Sequence, residues 1–241
     1  MYLKKLEENF HQKSVEPMSY LSFEKNTKGR DFFVGDIHGC FYKLEKAMNK
    51  ANFDESKDRI FAVGDLVDRG TGSHEALDWL TRPYFHTVKG NHEDMASQYI
   101  GGEISEYAYS YNGGDWFLYL TREKQLEFCF LFESLPRAIE VDTDYGKIGV
   151  IHAEVFNHNW TEMKSRIDEY GVKQTALWAR DKFKENDHTR VSGIDFVVVG
   201  HTPVESVLQL GNVFYIDTGA VFNRELTFVT LEELILTKEK E

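Results

Sequence analysis

Six residues with hard oxygen or imidazole side chains, Asp36, His38, Asp65, Asn91, His152 and His201, stand at the ends of short apolar runs. Three runs share one layout. Phe32-Phe33-Val34 leads into Gly35-Asp36-Ile37-His38, Phe61-Ala62-Val63 into Gly64-Asp65, and Thr87-Val88 into Lys89-Gly90-Asn91-His92-Glu93. Further along, Val150-Ile151 runs into His152, and Phe196-Val197-Val198-Val199 into Gly200-His201. A lone His at a strand end is ordinarily a hydrogen-bonded structural residue, and a lone Gly-Asp a turn. Repetition of the layout within one chain favours convergence on a common edge instead. Carboxylate, amide oxygen and imidazole without cysteine suit Mn²⁺, Fe or Zn²⁺. Six such residues exceed what one ion uses when substrate and water must also bind, so the set implies two divalent ions. Asp36 and His38 are expected to hold one, Asn91, His152 and His201 the other, and Asp65 to bridge them. Ions paired at roughly 3.5–4 Å polarise a phosphoryl group and lower the pKa of a bridging water.

The elements that must position these residues follow from the spacing of the runs. β-Branched and aromatic runs separated by helix-length segments imply βαβ connections and a mostly parallel sheet, with the ligand residues at the strands' carboxyl ends. Residues 18–23 and 31–34, split by the polar Glu24-Lys25-Asn26-Thr27-Lys28-Gly29, read as a hairpin leading into the first block. Phe41, Leu44, Ala47 and Met48 recur at helical spacing over 41–51, and that helix returns to a strand at 59–63. A helix over 73–80, capped by Ser73 and stopped near Arg82-Pro83, leads to a strand at 84–88. A helix over 91–99 is broken by Gly101-Gly102, and 101–114, with Tyr107, Tyr109 and Tyr111 before Asn112-Gly113-Gly114, reads as a surface excursion. Its tyrosines either frame a substrate or pack the loop onto the domain. Residues 121–134 form a strong helix, 138–141 and 147–151 a hairpin, and 155–187 a mostly helical stretch. Runs at 204–210, 213–217 and 226–231 are expected to complete an antiparallel set that closes the sheet.

Composition limits the partners. The 241 residues are 41% hydrophobic and 14% aromatic, enough to close a core as one domain, read here as 18–241 after a partly ordered arm at 1–17. A net charge of −12 argues against nucleic acid and membrane surfaces, which are bound by clustered Lys and Arg. No apolar run approaches the roughly 20 residues of a membrane helix, and the first 21 residues lack a signal core, so a cytoplasmic location is expected. The two cysteines, Cys40 and Cys129, are too far apart in sequence to suggest a zinc knuckle, and Cys40 reads as a small residue opening a helix.

The blocks Gly-Asp-Ile-His-Gly at 35–39, Gly-Asp-Leu-Val-Asp-Arg-Gly at 64–70, Gly-Asn-His-Glu at 90–93, Ile-His-Ala at 151–153 and Gly-His-Thr-Pro at 200–203 together resemble the phosphoprotein phosphatase group of calcineurin-like metallophosphoesterases. The likeness is to the bacteriophage lambda and bacterial Prp-type serine/threonine phosphatases. It extends from about residue 18 through Tyr111-Asn112-Gly113-Gly114-Asp115-Trp116-Phe117 to the ending Tyr215-Ile216-Asp217-Thr218-Gly219-Ala220-Val221-Phe222. The resemblance implies an α/β sandwich of two mixed β-sheets flanked by helices. It also implies hydrolysis of phosphoserine and phosphothreonine on proteins or peptides, with phosphotyrosine or phosphohistidine as further substrates. Mn²⁺ is the expected metal. The resemblance further implies that His92 is the general acid, Asp68 the group that orients it, and Arg69, Arg180 and Asn91 contacts to the substrate phosphate. The chain departs from these relatives at Ala153-Glu154-Val155-Phe156-Asn157-His158, where an Ala-Asp-Tyr-Pro type run is expected. One rival is a symmetrical diadenosine tetraphosphate hydrolase, disfavoured by the Gly-Asn-His-Glu and Val-Asp-Arg-Gly forms. Another is an inactive phosphopeptide-binding module, disfavoured because every motif residue is present.

Overall fold

The computed structural model describes residues 19–237; the expected N-terminal arm lies outside them. In chain order the elements are β1 (Tyr20–Phe23), β2 (Asp31–Val34), α1 (Phe41–Lys50), β3 (Arg59–Ala62), α2 (Ala76–Leu80), β4 (Phe85–Thr87), α3 (Asn91–Gly101), α4 (Glu106–Tyr111), α5 (Asp115–Leu118) and α6 (Arg122–Ser134). The second half holds β5 (Ala138–Thr143), β6 (Gly146–Ile151), α7 (Trp160–Arg166), α8 (Tyr170–Trp178), α9 (Asp181–Lys184), β7 (Phe196–Val199), β8 (Leu208–Leu210), β9 (Val213–Tyr215), β10 (Phe228–Thr230) and α10 (Leu231–Thr237). Two mixed sheets result, one of six strands in the order β1-β5-β6-β7-β9-β8 and one of four in the order β10-β2-β3-β4.

Alternation along the strands builds the layers, because successive side chains point to opposite faces. Phe33 and Phe61 from the small sheet meet Ile139, Val141, Val198 and Phe214 from the large one, forming the core between the sheets. Their neighbours point outward. Val34 and Ala62 lie under Phe41, Leu44, Trp79, Met95 and Phe132 of the surrounding helices. Ala138, Val197, Val199 and Tyr215 lie under Trp160, Met163 and Ala176 of α7 and α8.

Two pairings differ from the sequence expectation. β1 and β2 do not form a hairpin: β1 runs parallel to β5 (Tyr20↔Ala138), while β2 pairs with β3 and β10. The intervening turn is a link between sheets. Asn26 fastens it, its Oδ1 accepting from the Lys28 and Gly29 N–H groups and its Nδ2 donating to Lys57 O. The closing strands also divide. β8 and β9 pair antiparallel, but β9 runs parallel to β7, and β10 joins the other sheet against β2, where Phe228 stacks on Phe32 at 4.5 Å. Nor is the 101–114 excursion a simple surface loop. It folds as α4, capped by Ser105, with Tyr109 fully buried and Tyr107 and Tyr111 exposed. Among the described residues, no helix is long and apolar enough to cross a membrane.

Candidate metal centre

The strand-end glycines let neighbouring loops touch. A Cβ on Gly90 would sit 2.2 Å from Asp65 Oδ1, and one on Gly200 2.0 Å from Asp36 Oδ1, so only glycine fits either place. The loops are also strained. His38, Asp65, Asp68, Arg69 and His201 have φ of 44°, 50°, 69°, 66° and 63°, in the left-handed region that side chains avoid. Such residues cost on the order of 1–3 kcal/mol each and persist only where their surroundings over-determine them. Glu93, fully buried, supplies part of that constraint: Oε2 accepts from the Asp65 (3.0 Å) and Gly90 (2.8 Å) N–H groups, and Oε1 from Leu66 N–H (2.8 Å). Burial and the Asp65 carboxylate push the Glu93 carboxyl up to about 7.

Backbone carbonyls fix the imidazole tautomers. His152 Nδ1 donates to Val63 O (2.7 Å) and His38 Nδ1 to Val67 O (2.8 Å), which leaves each Nε2 bare. His201 is turned the other way, its Nε2 donating to Trp178 O at 3.2 Å and its Nδ1 bare. The bare nitrogens of His152 and His201 face Asn91 Oδ1 at 2.8 and 2.9 Å, and His152 Nε2 lies 3.4 Å from Asp65 Oδ1. Burial keeps these rings neutral, pushing His201 and His38 down to about 3 and His152 down as well. Burial also works against ionised Asp65, but His152, His92, His38 and His201 outweigh it and hold the carboxyl below its usual range. Acceptors crowded together without a proton between them repel one another until a cation sits among them. Mixed oxygen and nitrogen donors of this kind fit a divalent ion.

Two such groups lie side by side. Ligand-type atoms of His38, Asp65 and His92 fall within 4.8 Å of one another, as do those of Asp65, His152 and His201, so Asp65 is common to both. His92 stands with His38, whereas Asp36, 2% exposed, turns both carboxylate oxygens to the His201 backbone N–H at 3.2 and 3.1 Å. Burial, then Asp217 and Asp65, raise the Asp36 carboxyl well above its ordinary value, and burial pushes Asp217 up to about 6.

Residues 32–220 match the family of calcineurin-like phosphoesterases. The chain belongs to that family. Serine/threonine-protein phosphatase 1 of Salmonella typhimurium is 37% identical over 202 residues, covering 83% of this chain and 90% of that protein. A symmetrical bis(5'-nucleosyl)-tetraphosphatase of Shewanella sediminis is 48% identical over only 60 residues, 25% of this chain and 20% of that protein. In fold, the chain is similar to a crystal structure of a candidate diadenosine tetraphosphatase, with a TM-score of 0.61 at 17% identity over 88% of this chain and 98% of that one.

In this calcineurin-like phosphoesterase the remaining motif residues border the two donor groups. His92, 1% exposed, places Nδ1 2.7 Å from Oδ2 of the fully buried Asp68 and Nε2 3.8 Å from Asp65 Oδ2. Burial opposes a charged His92, but Asp65 and Asp68 outweigh it and raise its pKa. Asp68 Oδ1 accepts from Trp116 Nε1 (2.7 Å) and the Tyr109 hydroxyl (3.1 Å). The Arg69 guanidinium donates to His38 Nε2 (2.6 Å) and lies 6.0 Å from the Phe222 ring centre. Arg180 donates from Nη2 to His201 O at 3.1 Å. Both arginines are exposed at the rim. The contacts of Tyr109 and the anchoring use of Glu93 are not visible in the sequence, since each acts on a residue far along the chain, and Asp217 is visible only as part of a motif. Trp116 was visible only as part of a motif.

Proposed function

We propose that this phosphoesterase hydrolyses phosphomonoesters of serine and threonine on proteins, with residues 18–241 acting as one catalytic domain. Asp36, His38 and Asp65 would hold one divalent ion, and Asp65, Asn91, His152 and His201 the other; the mixed donors suit Mn²⁺. Bound there, the ions polarise the phosphoryl group and supply activated water. Arg69 and Arg180 grip the non-bridging phosphate oxygens as charged forks, and Asn91 contacts the phosphate beside them. His92 donates its Nε2 proton to the departing oxygen as the bond from phosphorus to the serine oxygen breaks. Asp68 supports the positive ring through Nδ1. The phosphoryl group passes directly to water, with no phosphoenzyme.

The observation that carries this reading is the hydrogen bond between His92 and the buried Asp68 carboxylate, 2.7 Å long. A serine alkoxide is a poor leaving group and needs a proton in the transition state. A nucleotide phosphate, the leaving group of a dinucleoside tetraphosphate, departs as a stable anion. An acid whose charge is supported by its own carboxylate therefore favours the alkyl monoester. The similarity to serine/threonine-protein phosphatase 1 over most of both chains supports the same choice. The test is turnover of a phosphopeptide panel and diadenosine tetraphosphate by wild type and His92→Asn. His92→Asn should keep its metals and lose about 10²–10⁴-fold on phosphoserine peptides, with a smaller penalty on p-nitrophenyl phosphate. Equal penalties would remove the acid role, and dinucleotide cleavage outpacing every phosphopeptide would reverse the choice of substrate.

A further inference from the structure

Asp68 and Arg69 are consecutive, non-glycine and both left-handed, with φ of 69° and 66°. Two adjacent strained residues hold their shape only if something else fixes them. Segment 105–118 contacts both. Tyr109 and Trp116 donate to Asp68 Oδ1, opposite the oxygen that meets His92, while Gly113 O accepts the Arg69 backbone N–H at 3.0 Å. The glycines of Asn112-Gly113-Gly114 have a use here. A Cβ on Gly113, itself at φ 96°, would lie 2.7 Å from Arg69 N, and one on Gly114 2.6 Å from the Tyr109 ring. Packing sets the two donors: Tyr109 stacks on Tyr99 at 5.6 Å and meets Phe117 edge-on at 5.7 Å, and Trp116 meets Phe128 edge-on at 5.0 Å.

We infer that segment 105–118 is a clamp on the Asp68-Arg69 corner, with Trp116 and Tyr109 as positioning residues that aim His92 through Asp68. Neither touches the substrate. Asp68 has two oxygens, and fixing Oδ1 from the side of α4 and α5 leaves Oδ2 directed at His92 Nδ1. Without the two donors the carboxylate can rotate, and the imidazole it holds loses its aim at the leaving oxygen. Through Gly113 the same segment sets the backbone from which the Arg69 fork projects. The reach of α4 thus extends to proton delivery and to the phosphate grip.

This inference rests on His92 being the acid, and the experiment separates the two ideas. Tyr109→Phe, Trp116→Phe and the double variant are compared with wild type and His92→Asn. For each, kcat and KM are measured on a phosphoserine peptide and on p-nitrophenyl phosphate. The His92 Nδ1–H signal is followed by NMR in metal-free protein carrying ¹⁵N-histidine, with His92→Asn assigning it. The double variant should lose about 10–100-fold in kcat on the peptide, the range that follows loss of outer partners of a site residue. Its KM and its p-nitrophenyl phosphate rate should stay within about threefold, because that leaving group needs little protonation. Its Nδ1–H signal should broaden or vanish through exchange with water. An unchanged signal overturns the clamp whatever the kinetics, and so does an equal loss on both substrates where His92→Asn itself discriminates between them. If His92→Asn itself shows no dependence on leaving group while the signal vanishes in the double variant, the acid assignment fails and the clamp on Asp68 stands.

Discussion

Lys89→Met removes the cation at the centre of a buried charge cluster close in sequence to Asn91. Lys89 is 1% exposed, its Nζ 3.0 Å from Asp94 Oδ1 and 2.7 Å from Glu133 Oε1. Burial disfavours the ammonium, but the two carboxylates outweigh it and raise its pKa, so it is charged at neutral pH. Breaking a buried ion pair by deleting one partner typically costs about 3–5 kcal/mol, because the other charge is left uncompensated. Here the partners recover unequally. Asp94, 3% exposed, retains Lys173 at 2.9 Å and Gln98 Nε2 at 2.6 Å, and the Glu133 side chain, 34% exposed, can regain water. The cost should therefore fall near the lower bound, about 3 kcal/mol. Lys173→Met leaves Lys89 in place and removes a partner 26% exposed, so about 1 kcal/mol is expected. Urea unfolding followed by tryptophan fluorescence gives both values, and adding Asp94→Asn to Lys89→Met should recover part of the loss. A Lys89→Met protein within about 0.5 kcal/mol of wild type, or a further loss on adding Asp94→Asn, would refute the account.

Two other expectations are independent of that cluster. Asp65→Asn should weaken metal binding at both groups, since Oδ1 lies 3.4 Å from His152 Nε2 and Oδ2 3.5 Å from His38 Nε2, whereas Arg180→Ala should keep its metals and raise KM; calorimetry with Mn²⁺ beside steady-state kinetics separates them. At Glu140, burial pushes the carboxyl up, but bonds from Lys147 and Trp160, with Lys164 nearby, outweigh it and hold it near about 2. A depressed acid stabilises the fold above its unfolded value of about 4.3 and loses that contribution as pH falls towards 2, so the penalty of Glu140→Gln in thermal melts should be full at pH 7 and shrink between pH 4 and 2.

The convergence of His38, Asp65, His152 and His201 was legible because the pattern is local: a strand-forming run, in every case but His152 a glycine that admits a neighbouring loop, then a donor side chain. Sheet membership was not. The turn at 24–29 has the polar, glycine-ended chemistry of a hairpin, yet it joins two sheets, and only the pairing of Tyr20 with Ala138, far along the chain, distinguishes the cases. The strand over 228–230 likewise reads as a continuation of its sequence neighbours, whereas the stacking of Phe228 on Phe32 draws it to the other layer. The helix around Tyr109 was hidden for a related reason. Between two exposed tyrosines its burial depends on Tyr99 and Phe117, and a period-two run of aromatics does not announce a helix.

Asp65 and Asn91 follow strands of the four-stranded sheet, His152 and His201 strands of the six-stranded one. An ion held by all four, as proposed, would be a rivet through both layers, and its binding free energy would add to the adhesion of one sheet to the other. Linkage makes the relation run both ways. Whatever alters the spacing of the layers, such as a side chain trimmed at Phe61 or Val198 in the packing between the sheets, should shift affinity for that ion. The aromatic and valine filling between the sheets would in that sense be the spacer that sets the width of the ion's seat.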